Sequence, residues 1–224
     1  MNLNALQRFI EQVYGLYLEH SVEDFLVTDP EVARELDSSA NPREIKEKLL
    51  VDQSGDEVAL ALYLDPSVVA SMATGILEGK LEEDTLPDFL LALEGVSHFV
   101  CLAWNAARER GVSLLELEMQ AEIDKFVVVS LLLQQLGDGI HLRDLRQWLF
   151  EEPQYHHALD ADERRRYAQA NHFAGKYCLQ LEQRHWRRSG RPQGHGLFGE
   201  LRRFYRLSQS DKISHIHRQY APAV

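Results

Sequence analysis

Apolar residues recur every three to four positions through most of this chain, the period of a helix with one buried face. Near the N-terminus Leu3, Leu6, Phe9, Ile10, Val13, Tyr14 and Tyr17 fall on one side, with Gln7, Arg8, Glu11 and Gln12 opposite. Punctuation for further helices follows. Asp29-Pro30 and Asp65-Pro66 each place a capping carboxylate before a proline, whose missing N–H costs the first turn nothing. Thr85 with Asp88, Ser113 with Glu116 and Asp160 with Glu163 have capping-box spacing. Gly111 and Gly137 stand where helices end, because glycine tolerates the left-handed terminal conformation. These signals predict helices near 3–19, 30–37, 66–78, 86–110, 114–136, 141–151, 161–186, 197–206 and 210–219.

One segment changes period. Lys48–Asp52 and Glu57–Leu64 flank Gln53-Ser54-Gly55-Asp56 and predict a β-hairpin near 48–64 with a four-residue loop. In the second arm Val58, Leu60, Leu62 and Leu64 alternate with Ala59, Ala61 and Tyr63. Both faces are therefore apolar and need cover, since a lone two-stranded unit is marginal in water. A rival reading starts a helix at Asn41-Pro42 and runs it to Leu50, leaving a single strand.

Only Gly111, Val112 and Ser113 separate the segments 86–110 and 114–136, both apolar around most of their circumference. The expectation is a mainly α fold: a multi-helix bundle around this central antiparallel helical hairpin, with the small β-hairpin beside it. Arg187 to Gly196, rich in glycine and positive charge, is a linker candidate.

Charge divides the chain differently. Up to Asp160 there are 11 Lys+Arg against 30 Asp+Glu, a net of −19; from Ala161 there are 13 against 5, a net of +8. Seven of the ten histidines lie between His156 and His217. This predicts an acidic helical body over 1–160 carrying the hairpin, and a basic, His-rich helical region over 161–224 packed on it as one domain. The overall charge of −11 argues against nonspecific nucleic-acid binding by the whole surface. Residues 2–20 lack the pattern of a secretory signal, and the longest apolar stretch, Phe126–Leu133, is far short of a span; no membrane association is expected. Cys101 and Cys178 have no metal or redox spacing and suit reduced thiols in the cytoplasm.

Candidate chemistry falls in two places. Glu94, His98, Cys101 and Asn105 form a polar stripe on the first central helix; Glu118, Glu122 and Lys125 form one on the second. Glu94, His98, Glu118 and Glu122 are the types that hold a di-iron or di-manganese centre in a helical bundle. Their spacing is Glu-x-x-x-His, where known carboxylate centres use Glu-x-x-His. A hairpin folded about Val112 also sets Glu94 roughly 18 Å along the axis from Glu118. A His98–Glu122 contact fits that register, and one site holding all four does not. The plainer reading is a buried pair fixing helix register. His156-His157 and Asp211-x-x-x-His215-x-His217 have no ligand geometry on a helix, and no metal or cofactor is assigned.

The second place is the basic surface of Arg187, Arg188, Arg191, Arg202, Arg203 and Arg206, interleaved with Trp186, Phe204 and Tyr205. Arginine with aromatics can grip phosphates and stack bases, and equally suits an acidic protein surface. There is no Gly-x-Ser-x-Gly, phosphate loop, dinucleotide fingerprint or His-Glu-x-x-His. The expectation is a cytoplasmic, non-enzymatic adaptor or regulatory protein that binds a protein partner, another copy of itself included. The alternatives are a metal-dependent helical-bundle enzyme and a nucleic-acid-binding helper using the basic region.

Overall fold

A computed structural model describes residues 1–37, 45–54, 57–75, 85–136, 142–151, 159–186 and 195–219. Along them run α1 (Leu3–Tyr14), a 3₁₀ turn (Val22–Phe25), β1 (Leu26–Val27), α2 (Pro30–Leu36), β2 (Glu47–Ser54), β3 (Glu57–Leu64) and α3 (Pro66–Gly75). Then come α4 (Leu86–Ala106), α5 (Leu114–Leu136), α6 (Leu142–Phe150), α7 (Ala161–His185), α8 (His195–Tyr205) and α9 (Gln209–Gln219). The fold is mainly helical with a small sheet, as the pattern predicts. The Arg187–Gly194 stretch, Gly137 and His156-His157 lie outside the described residues.

The chain divides into two compact units, Met1–Gln12 with Leu16–Gly111, and Val13–Gly15 with Val112–Val224. α4 belongs to the first unit, where it packs on α3 and the sheet, and α5 to the second, where it packs on α6 and α7. Each is apolar around most of its circumference, so each serves as the core of its own unit. α4 is long and apolar enough to cross a membrane, but most of it is buried inside the protein.

In the first unit β3 is the middle strand, with β2 antiparallel on one side and β1 parallel on the other. Residues 47–50 are strand, which excludes the rival helix ending at Leu50. Strand pairing continues to Ser54↔Glu57, so only residues 55 and 56 separate arms for which a four-residue loop was expected. Cross-strand partners share a face. Leu50 and Tyr63 pack with Ala33 of α2, flanked by Val27 and Ala61, which covers one face. On the other, Leu62 and Glu47 lie against Gly95 of α4.

Helix ends follow their local chemistry. Asp29 accepts from the N–H groups of Glu31 and Val32. Asp160 and Glu163 make a complete reciprocal capping box. Thr85 makes no side-chain cap bond, because its backbone is already helical. α1 stops at Tyr14 instead of continuing to residue 19. Gly15 takes φ +61° and Leu16 N–H donates to Glu11 O at 2.8 Å, the six-to-one bond of a Schellman stop. Tyr17, expected on the buried face, is therefore exposed. Gln7, expected on the polar face, is fully buried; it donates to Glu11 and to His20 O and accepts from Val22 N–H.

In the second unit α7 packs on α5, α6, α8 and α9. Ala170, Ala174 and Cys178 are fully buried along α7, their small side chains permitting close helix approach. Charges counted by unit differ from the split at residue 160. The first unit has 8 Lys+Arg against 21 Asp+Glu, a net of −13; the second has 16 against 14, a net of +2. The basic helices α7–α9 thus share a unit with the acidic α5 and largely neutralise it.

Candidate functional site

In the first unit Glu94 and His98 project from successive turns of α4, and Glu47, the first residue of β2, meets them. One ligand-type atom from each lies within 4.8 Å of the others. Glu47 Oε1 is 3.6 Å from His98 Nδ1, with side chains only 10% and 9% exposed. Gly95 makes the approach feasible: a Cβ there would stand 3.1 Å from Glu47 Oε1 and 2.8 Å from Leu62 Cδ1. The lower stripe turns inward on its own helix, Asn105 Nδ2 donating to Cys101 O at 2.8 Å.

Glu118 and Glu122 belong to the second unit, where each faces a cation. Glu118 lies 3.9 Å from Arg166, and Lys125 donates to Glu122 at 2.8 Å. The sequence did not reveal Glu47, because it sits far from Glu94 along the chain and just outside the expected strand. The available signal was Gly95, a glycine inside an apolar helix, which marks close approach of another element.

Three of the six candidate arginines are described, and all three bond to the chain itself. Arg206 donates to Tyr14 O at 3.0 Å and Gly15 O at 2.9 Å, and Arg202 reaches Val13 O at 3.4 Å. They satisfy carbonyls at the end of α1, where the helix dipole favours cations. Arg203 Nη2 donates to His215 Nδ1 at 3.1 Å. Since a guanidinium only donates, His215 carries its proton on Nε2, which donates to Glu200 Oε1 at 2.6 Å. Arg187, Arg188 and Arg191 lie outside the described residues.

A buried polar chain runs beside this group. Tyr14 donates to Asp124; Gln120 donates to Asp124 at 2.9 Å and accepts from Lys212; Lys212 donates to Glu116 at 2.8 Å. Burial, reinforced by the Asp124 carboxylate, holds the Tyr14 phenol well above its ordinary range. Burial likewise raises the Cys178 thiol well above 9.0, with Glu122 and Asp124 adding to it. That thiol stays protonated at neutral pH and is a packing residue, not a poised nucleophile.

A cleft of about 610 Å³ opens between α2 and the sheet of the first unit, lined by Ala33, Leu50 and Tyr63 and by Arg34, Lys46 and Lys48. Lys48 pairs with Asp37 at 2.5 Å and Lys46 with Asp88 at 3.4 Å, so two of its cations are neutralised locally.

Comparison with protein-family models, curated proteins and solved structures finds no match to this chain.

Proposed function

We propose that this chain is a cytoplasmic interaction protein, an adaptor or regulatory subunit, which takes up an extended segment of a basic partner protein along the outer edge of β2. One observation carries the reading. β2 is an outer strand of the sheet, and among the described residues no strand pairs with its outer side. It carries the apolar run Leu49-Leu50-Val51; Val51 is 38% exposed and Val58 on the neighbouring strand 41%. An outer strand offers a row of backbone donors and acceptors, and strand addition is a common mode of peptide recognition.

Charge supports a basic partner. The net of −13 on the first unit is not balanced within that unit, and such a field steers cationic segments toward it. The internal bonds of Arg202, Arg203 and Arg206 give the nucleic-acid reading less support.

The test is a titration of a labelled extended peptide alternating lysine and valine into the full chain. Saturable binding that weakens with salt is expected, together with its loss in Val51→Lys, a change at an exposed side chain that leaves the fold intact. No binding at low salt, or equal binding by Val51→Lys, would overturn the reading.

A further inference from the structure

We infer that Glu47, Glu94 and His98 form a binding site for one divalent first-row transition-metal ion, tying the start of β2 to α4. The inference is independent of the partner reading above. Its basis is convergence: two carboxylates and an imidazole from two separate elements bring their ligand atoms within 4.8 Å of one another. Glu94 and His98 stand four residues apart on α4, the spacing that puts two helical side chains on one face and lets both reach one ion. The strand supplies the third donor from the opposite side.

The separation of Glu47 Oε1 and His98 Nδ1 is informative. At 3.6 Å it is longer than a hydrogen bond between these groups. It is close to the spacing of two donors sharing a tetrahedral ion, about 3.4 Å for bonds near 2.1 Å. Gly95 lies between the two helical ligands in sequence, and a Cβ there would stand 3.1 Å from Glu47 Cγ and Oε1, so the Glu47 side chain would have to shift by a few tenths of an ångström. That glycine is costly inside a helix, and its lack of a Cβ keeps this approach open.

The donor set narrows the ion. One imidazole with two carboxylates suits Mn²⁺, Fe²⁺ or Zn²⁺. Ca²⁺ and Mg²⁺ take oxygen ligands, and copper(I) favours sulfur.

The experiment uses the untagged full chain, freed of metal with chelator and titrated separately with ZnCl₂ and MnCl₂ by calorimetry. One ion per chain is expected. Glu47→Gln and His98→Gln should each weaken binding by at least about tenfold. Glu122→Gln, altering a carboxylate of the second unit, should leave it unchanged. Amide NMR of the unmutated chain supplies a readout that no folding defect can confuse. Substoichiometric Mn²⁺ should broaden Glu47 and Glu94–His98 first. Absence of binding, retention of affinity in Glu47→Gln, or broadening centred elsewhere would each overturn the assignment.

Discussion

Lys212 of α9 and Glu116 of α5 form an ion pair at 2.8 Å with side chains 1% and 6% exposed. Glu116 lies in the first turn of α5, where the helix dipole favours a negative charge. The Lys212 ammonium also lies 5.9 Å from the Phe204 ring centroid and 5.6 Å from that of Tyr205. A buried pair gains little over an apolar replacement of both partners, yet losing one partner strands the other charge. Lys212→Met should therefore destabilise the protein by about 3–5 kcal/mol, and Lys212→Met with Glu116→Gln by clearly less. Urea unfolding of the wild type, both single variants and the double variant measures the coupling. Additive single effects would show that the pair does not act as a unit.

Fold class and most element starts were legible in the sequence because they depend on neighbours along the chain. Asp29 and Asp160 cap their helices from positions where any reader would expect it, and the alternation over Val58–Leu64 is visible without coordinates. What stayed hidden depends on distant partners. β1 is two residues long and exists because Leu26 and Val27 find Leu62 and Tyr63. The polar stripe on α4 drew attention to Glu94 and His98, but their third companion comes from another element. The described candidate arginines also depend on distant partners. Composition showed their charge, not that Arg202 and Arg206 are used by the carbonyls of Val13, Tyr14 and Gly15.

The end of α4 gives a prediction with an unusual sign. Gly111 was expected to stop this helix, yet the left-handed residue is Glu109, at φ +53°. Arg110 N–H closes the turn on Asn105 O at 3.1 Å, as in a glycine-terminated helix. A side chain in that conformation costs roughly 1–2 kcal/mol, offset in part by the extra freedom glycine gives the unfolded chain. Glu109→Gly should stabilise the protein by about 0.5–1 kcal/mol, and Glu109→Ala should not. Thermal unfolding of the two variants decides it. A lower Tm for Glu109→Gly than for the wild type would refute the strain argument.

Gly95 calls for the opposite substitution and the opposite result. In an ordinary helix interior, glycine to alanine stabilises by about 1 kcal/mol. Here the added methyl would meet Leu62 Cδ1 at 2.8 Å and the Glu47 side chain at 3.1 Å. Leu62 is fully buried in the middle strand, so it has little room to turn aside. Overpacking of this kind costs about 1–3 kcal/mol and exceeds the helix-propensity gain. Gly95→Ala should thus lower the urea midpoint. Gly111→Ala, with open space around its Cβ position and no positive φ, should leave it unchanged or raise it slightly. A Gly95→Ala protein as stable as the wild type would mean that α4 and the sheet can move apart, and the Glu47–His98 approach would not be held by packing.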